Sequence, residues 1–289
     1  MQIIFKFLPG CGSDLRPWTF GWFLSAFKGC DKLELSTRQP GGSEPPQPLE
    51  LRDERRKSME KVKAPFLFVN PKSYLWGKDS LALAKAADKA AEEFGVQVFF
   101  TCPYADLRLI AENTTHVIVT AQNMDALRPG RGMGAVLPES VAAAGAKAVV
   151  LNHAENQKTL AELSACMQRA RELDLITIVC ADSVAEAKAV AQLGADVILA
   201  EPTALIGSGT TADDSYTVDA VAAVRSVDPE VKVMIASGIT TPEDCYKVVY
   251  LGADGTGSTS GIVKAPDPAQ RVYRMVEAIV RAARDREKA

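Results

Sequence analysis

From Ala64 to the C-terminus, short apolar runs rich in β-branched residues alternate with longer stretches in which alanine, leucine, lysine and glutamate recur at helical spacing. Short apolar runs bounded by polar or glycine-bearing connections are typical of buried strands, and the longer stretches are typical of helices. The pattern predicts strands at residues 66–70, 96–101, 117–120, 148–151, 175–180, 196–200, 231–236 and 253–256. It predicts helices at residues 80–94, 104–112, 138–144, 157–173, 183–193, 215–227, 242–251 and 268–284.

The order of these predicted elements indicates the fold class. Eight strand–helix units follow one another within about 226 residues. Their strands are nearly continuous apolar runs rather than alternating ones, which is typical of a parallel sheet covered on both faces. Eight such units predict an α/β protein built as a closed (β/α)8 barrel, the TIM barrel architecture.

Residues 1–63 differ in character from the predicted barrel at 64–289. An aromatic segment at 18–27 is followed by a stretch of Pro, Gly and Ser at 39–48 and a charged run at 50–63. The middle of this segment lacks the apolar periodicity that would offset the entropy of ordering it, so we expect a mostly disordered extension. Two alternatives stay open: residues 18–27 dock a partner or touch a membrane, or translation starts at Met59 and the upstream residues are a misassigned extension.

Composition narrows the function classes. The 289 residues are 47 % hydrophobic, enough for a large core, and the net charge of −3 gives no general attraction to nucleic acid. The six cysteines are scattered without CxxC spacing, which predicts neither a disulfide framework nor a metal site. Apolar runs stay shorter than the roughly 18 residues of a membrane span, and the first residues lack a signal-peptide core. We therefore expect a soluble cytoplasmic protein without nucleic-acid or membrane partners.

Candidate chemistry lies where the predicted strands end, because the active sites of such barrels form at the C-terminal ends of the strands. Polar or glycine-bearing residues follow six of the strands, at 70–72, 121–123, 152–155, 201–210, 237–239 and 256–261. Together they place a cation (Lys72), an imidazole (His153) and a carboxylate (Glu201) on one rim. This set suits enolisation of a phosphorylated sugar: the carboxylate takes a proton beside a carbonyl, the cation and imidazole stabilise the oxygen, and glycine-loop amides hold phosphate.

Each of these residues has a simpler explanation when taken alone. Glu201 could be a solvated residue of an ordinary strand-to-helix loop, although Pro202 and the glycines Gly207 and Gly209 would suit a closing loop that approaches phosphate. His153 alone would be a buried structural histidine, and Lys72 alone a surface lysine. Their joint placement on one rim favours a catalytic site.

The motifs NPK, AQN, LNHAEN, EPTALIGSG, ASGITTPED and GSTSGIVKAPDP occur in this order from about Ala64 to the C-terminus. Their order resembles that of triosephosphate isomerases, specifically the shorter archaeal type. The resemblance implies an aldose–ketose isomerase of glycolysis and gluconeogenesis that interconverts dihydroxyacetone phosphate and glyceraldehyde 3-phosphate through an enediol. It also implies that the enzyme uses no metal or organic cofactor.

The resemblance also implies roles for individual residues. Lys72 would be the electrophilic cation, His153 the neutral imidazole that polarises the carbonyl, and Glu201 the base. The remaining implied roles are substrate contact for Asn70, a supporting position for Glu155, and phosphate binding by backbone groups of Gly207, Gly238, Thr259 and Ser260. Family sites are completed by a loop from a second subunit, which implies a homodimer or homotetramer.

Three residues depart from the usual pattern of that family. Pro71 replaces a bulky or aromatic residue, Ala154 replaces a serine beside the imidazole, and Met133 replaces a threonine that reaches the neighbouring subunit's site. The last loop, GTGSTSGI, is also richer in hydroxyls. These departures keep two alternatives open: a paralogous isomerase of a related phosphosugar such as a tetrulose phosphate, and a phosphosugar-binding barrel without catalysis.

Overall fold

The computed structural model describes residues 62–203 and 213–289. Eight parallel strands close into a barrel in the order in which they occur in the chain. The strands are β1 (Phe66–Val69), β2 (Gln97–Cys102), β3 (Val117–Ala121), β4 (Ala148–Leu151), β5 (Ile176–Ala181), β6 (Val197–Ala200), β7 (Lys232–Ile235) and β8 (Gly255–Ser258). The predicted (β/α)8 barrel is thereby confirmed.

The helices of the described residues surround the barrel. They are α1 (Gly77–Phe94), α2 (Leu107–Ala111), α3 (Pro138–Ala143), α4 (Leu160–Glu172), α5 (Val184–Leu193), α6 (Asp214–Val227), α7 (Pro242–Tyr250), α8 (Ser260–Val263) and α9 (Pro268–Arg286), and a 3₁₀ turn at Tyr104–Asp106 precedes α2. The short helix α8 was not predicted. Capping boxes at Thr159 and Thr241 fix where α4 and α7 begin.

Strand residues point alternately to two apolar layers, as the period of two along a strand requires. Phe66 and Phe68 of β1 lie in the inner core of the barrel, whereas Leu67 and Val69 lie in the outer core between strands and helices. Most residues of the eight strands are buried, which explains the nearly continuous apolar runs in the sequence.

Strand β8 begins two residues later than the sequence pattern predicts. In register, Gly255 pairs with Phe66 and Gly257 with Phe68. A Cβ at Gly255 would lie 2.2 Å from the Phe66 ring, and one at Gly257 would lie 2.4 Å from the Phe68 carbonyl oxygen. The two glycines therefore make room for two phenylalanines of the neighbouring strand. Glycine is depleted in strands generally, so the sequence pattern ended the strand at Thr256 and placed Gly257 and Ser258 in the following loop.

Most of the predicted N-terminal extension, including the aromatic segment at 18–27 and Met59, lies outside the described residues. Its last two residues contact the barrel: Val62 is buried in the inner core, and the Lys63 N–H donates to Gln97 Oε1 at 2.7 Å. The division of the chain at residue 63 stays a prediction. Within the described ranges, no helix is both long and apolar enough to cross a bilayer.

Candidate active site

A cavity of about 250 Å³ opens at the C-terminal ends of the strands. Its lining contains eight of the nine residues named as site candidates: Asn70, Lys72, His153, Glu155, Glu201, Gly238, Thr259 and Ser260. The ninth, Gly207, lies outside the described residues. Apolar side chains of Phe68, Leu199 and Ile239 also contribute to the lining. Residues from strands that are far apart in sequence thus meet in one cavity.

The backbone around Lys72 is held by three hydrogen bonds. Lys72 adopts a left-handed conformation with φ of +46°, and its N–H donates to Asn70 Oδ1 at 3.0 Å. The Thr101 hydroxyl donates to the same oxygen at 2.6 Å, and Gln122 Nε2 donates to the Lys72 carbonyl at 2.9 Å. Neither Thr101 nor Gln122 was assigned a role from the sequence. Both stand at strand ends, which is the one signal that could have identified them.

The Lys72 ammonium forms an ion pair with Glu155, with 3.0 Å between Nζ and Oε1. Burial acts to raise the pKa of Glu155, but the hydrogen bond and charge of Lys72, together with His153, outweigh it and lower that pKa. Glu155 is therefore a carboxylate at neutral pH. It orients the Lys72 side chain toward the cavity that both residues line.

His153 is held as a neutral imidazole. Burial, followed by the positive charge of Lys72, lowers its pKa and outweighs the opposing charge of Glu155. The Glu155 N–H donates to His153 Nδ1 at 3.1 Å. Because Nδ1 accepts this bond, the ring proton lies on Nε2, and the neutral ring can donate from that nitrogen.

Glu201 follows strand β6, and its environment makes its carboxyl group a stronger base than an ordinary glutamate. Burial raises the pKa of Glu201 to about 7; the Lys72 charge acts against this shift and the Glu155 charge adds to it. A carboxyl group with a pKa near neutrality can both accept and return a proton at physiological pH. The cavity therefore combines a base, a neutral imidazole donor and a cation.

The loops after β7 and β8, which contribute Gly238, Thr259 and Ser260 to the cavity lining, approach each other closely. Gly238 has a φ of +70°, which favours glycine. The Ser258 hydroxyl donates to the Ile239 carbonyl at 2.6 Å and accepts from the Gly261 N–H at 3.2 Å. A Cβ at Gly261 would lie 2.6 Å from Thr240 Cα. Gly261 thus serves loop packing.

The hydroxyl-rich segment GTGSTSGI is partly structural. Ser258, which was predicted to lie in the loop, belongs to strand β8 together with Thr256, and the hydroxyls of both residues donate to backbone carbonyls of Ile239 and Ile235. Thr259 and Ser260 follow the strand and line the cavity. Only part of the hydroxyl enrichment therefore concerns a ligand.

The three unusual residues occupy different places. Pro71 is buried, and its carbonyl accepts from the Tyr74 N–H at 3.0 Å in the turn that contains Lys72. Ala154 lines an adjoining cavity that Glu201 also borders. Met133 is fully exposed on the loop after β3.

Comparison with known proteins identifies the relatives of this chain. The family model described as triosephosphate isomerase matches residues 65–282. A triosephosphate isomerase of Methanoculleus marisnigri is 39 % identical over 211 residues, which cover 71 % of this chain and 94 % of the relative. The enzyme of the same name from Methanopyrus kandleri is 36 % identical over 224 residues, covering 75 % and 99 %. That of Methanothermus fervidus is 35 % identical over 217 residues, covering 73 % and 97 %.

Proposed function

Because this chain belongs to the triosephosphate isomerase family, we propose that it interconverts dihydroxyacetone phosphate and glyceraldehyde 3-phosphate, a step of glycolysis and gluconeogenesis. The observation that carries the proposal is one cavity lined by Lys72, His153 and Glu201, in which the pKa of the Glu201 carboxyl group is raised to about 7. The family places this enzyme among the intramolecular isomerases of small phosphorylated sugars.

In the proposed mechanism, Glu201 removes a proton from the carbon beside the carbonyl and returns it to the neighbouring carbon. The electron pair moves onto the carbonyl oxygen and gives an enediolate. His153 then gives its Nε2 proton to that oxygen and takes up the proton of the adjacent hydroxyl, so the enediol intermediate collapses to the isomeric carbonyl without any external oxidant or reductant. The neutral His153 donates from Nε2 to the oxygens of the enediol, and the Lys72 ammonium stabilises their developing negative charge.

The phosphate is assigned to the part of the cavity that is lined by the loops after β7 and β8. Backbone N–H groups of Gly238, Thr259, Ser260 and Gly207 would hold it, and Asn70 would contact the substrate beside Lys72. The loops after β7 and β8 are where barrels of this kind commonly bind phosphate. The close packing of these loops around Ser258 and Gly261 supports the assignment, because a rigid loop pair keeps its amides in place.

The pH dependence of the reaction provides a test of the base. Only the carboxylate form of Glu201 can accept the substrate proton, and its pKa is raised to about 7. We therefore expect kcat/KM to fall toward tenfold per pH unit as the pH drops below about 7, as expected for a required base. If Glu201 had the pKa of an ordinary glutamate, kcat/KM would stay unchanged until the pH fell to about 4.3.

A variant separates titration of Glu201 from titration of the substrate phosphate. The negative charge of Glu155 raises the pKa of Glu201, so Glu155→Gln should move the acid limb of the profile to lower pH. An unchanged limb in this variant would assign the titration to another group. The measurement is kcat/KM for both proteins over about pH 5 to 9, a range that spans the expected limb.

We further propose that a second copy of the chain covers the face formed by the loops after β1, β2 and β3, giving a homodimer or homotetramer. Four of the seven large apolar side chains exposed among the described residues belong to these loops: Tyr74, Trp76, Tyr104 and Met133. A cavity on this face borders Lys72 and His153 and contains the buried Asn123, whose Oδ1 meets no donor within the described residues. The exposed apolar side chains on these loops, together with an unsatisfied polar atom in the cavity that they border at Tyr104, support an interface here.

Met133→Asp tests this assembly. A charge at the tip of the loop after β3 should be costly to bury against another subunit, so we expect dissociation to monomers and a lower isomerase rate. Leu160→Asp is the matched control, because Leu160 is also exposed and apolar but begins helix α4. Sedimentation velocity at low protein concentration measures the outcome. An assembly that survives in Met133→Asp would contradict the proposed face.

An isomerase assay with three- and four-carbon ketose and aldose phosphates tests the function itself. The proposal predicts rapid turnover of glyceraldehyde 3-phosphate by the full-length chain. Turnover confined to a four-carbon ketose phosphate would favour the paralogous activity, and binding without turnover would favour a non-catalytic barrel. A parallel assay of protein started at Met59 tests the further proposal that 64–289 is the catalytic domain.

We place the enzyme in the cytoplasm, without nucleic-acid or membrane partners, and cell fractionation tests that placement.

A further inference from the structure

The segment that carries Glu201 is hydrogen-bonded to the rest of the barrel at three consecutive residues, 201–203. The Glu201 N–H donates to the Ala181 carbonyl at 2.9 Å. The Pro202 carbonyl accepts from the Ser237 hydroxyl at 3.2 Å. The Thr203 N–H donates to the Asp182 carboxylate. Two of these three bonds come from side chains, and the proposed mechanism uses neither of those residues.

The donor to the Pro202 carbonyl belongs to the loop that is proposed to bind phosphate. Ser237 is completely buried and directly precedes Gly238 in the loop after β7. Its hydroxyl therefore joins the loop assigned to phosphate binding to the backbone of the residue that follows the base. A buried hydroxyl without such a partner would be costly, so the bond also accounts for a serine at this position.

These contacts restrict the direction in which the Glu201 side chain leaves the chain. Proline fixes its own φ, and it favours an extended conformation in the residue before it. The Glu201 N–H on one side and the Pro202 carbonyl on the other are both hydrogen-bonded to the barrel. The Glu201 Cα lies between these two fixed groups, so the carboxylate has little freedom other than its own side-chain rotations.

Asp182, whose carboxylate accepts from the Thr203 N–H, is itself fixed by a hydrogen bond to the neighbouring helix. Its N–H donates to Glu186 Oε2 at 2.7 Å, which joins the loop after β5 to helix α5. The hydrogen bonds from Thr203 lower the pKa of Asp182, so this residue accepts as a carboxylate. Hydrogen bonds to an ionised acceptor are stronger than neutral ones.

We propose that Ser237, together with Asp182, is a positioning residue that holds the Glu201 carboxylate at the correct distance from a substrate whose phosphate is bound beside Gly238. The inference rests on the proposed isomerase function. It assigns to Ser237 a role in the chemical step rather than in substrate affinity, because the hydroxyl is bonded to Pro202 and not directed at a ligand.

Ser237→Ala removes only the hydroxyl. We expect kcat to fall about tenfold while KM changes less than about twofold, since small displacements of a catalytic group lower the rate of the chemical step. Thr256→Val is the matched control: Thr256 is also fully buried and its hydroxyl donates to a backbone carbonyl at 2.7 Å. That carbonyl belongs to Ile235 of β7 and not to the segment with Glu201, so kcat of this control should stay near that of the wild type.

Asp182→Ala provides an independent variant, because Asp182 is exposed and its removal leaves the core intact. It should lower kcat in the same manner, and the double variant with Ser237→Ala should lose less than the product of the two separate effects, since both residues hold one segment. This variant keeps the inference testable even if Ser237→Ala fails to fold.

The possible results distinguish a failure of the positioning role from a failure of the proposed isomerase function. An active wild type with unchanged kcat in Ser237→Ala, an equal loss in Thr256→Val, or an effect on KM alone would overturn the positioning role and leave the isomerase function standing. A wild type without turnover of any triose phosphate would overturn the proposed function, and the positioning role with it. A fall in kcat confined to Ser237→Ala and Asp182→Ala would support the inference.

Discussion

We expect Glu201→Gln to lower kcat by about 10³-fold while the affinity for substrate changes little, a loss within the range for removal of a general base. The amide has nearly the same shape as the carboxyl group but cannot accept the substrate proton. Glu201 is placed after β6 in the cavity that also contains Lys72 and His153, and burial has raised its pKa to about 7. No other described residue of the cavity lining combines a carboxyl group with a pKa near neutrality.

The comparison for this variant is Glu230→Gln, which makes the same chemical change at an exposed position before β7. It should leave kcat and KM unchanged. Kinetics of both proteins on glyceraldehyde 3-phosphate measure the difference. Retention of most of the wild-type kcat in Glu201→Gln would remove Glu201 as the base and would favour a barrel that binds the phosphosugar without using this residue.

The second large effect is expected for Lys72→Met, which should lower kcat/KM by about 10²- to 10³-fold, the range for loss of one group that stabilises a developing oxyanion. Met keeps the length and apolar stem of the side chain and removes the ammonium group. The loss also changes the charges around the cavity. Lys72 lowers the pKa values of both Glu201 and His153, so its removal should raise both.

This electrostatic change gives a second readout for the same variant. The acid limb of the kcat/KM profile should move to higher pH in Lys72→Met, opposite to the shift expected in Glu155→Gln. Lys78→Met, an exposed lysine of helix α1, is the control and should change neither the rate nor the profile. A Lys72→Met enzyme with a wild-type rate would contradict the assigned role of the cation.

The sequence was sufficient for the barrel and for the main candidate residues. Strands of a closed parallel barrel are buried on both faces, so their apolar runs are visible without any tertiary information. Lys72, His153 and Glu201 follow such runs within one to three residues, and the barrel topology therefore predicts that they share one rim. The structure places all three in the lining of one cavity.

The contacts that hold these residues could not be predicted in the same way. Thr101 lies 31 positions from Asn70, Gln122 lies 50 from Lys72, and Ser237 lies 35 from Pro202. Each pair is joined by a hydrogen bond that exists only once the barrel has closed. A lone threonine, glutamine or serine at a strand end carries no sequence signal that names its partner.

Local backbone geometry at two places also could not be predicted from the sequence. The left-handed conformation of Lys72 is uncommon for a residue other than glycine, and no propensity rule predicts it. The end of β8 was predicted too early because Gly257 is adapted to the Phe68 backbone of β1 rather than to strand propensity. In both cases a tertiary contact outweighs the local preference.

The most direct test of the central claim is the conversion of glyceraldehyde 3-phosphate in D2O, followed by proton NMR. An enzyme in which Glu201 carries the proton between carbons should form dihydroxyacetone phosphate, and part of that product should carry deuterium at C1, because the proton on a carboxyl group exchanges with solvent. Glu201→Gln should form almost none of it. Product formed rapidly without any deuterium, or no product from the wild-type chain, would contradict the account.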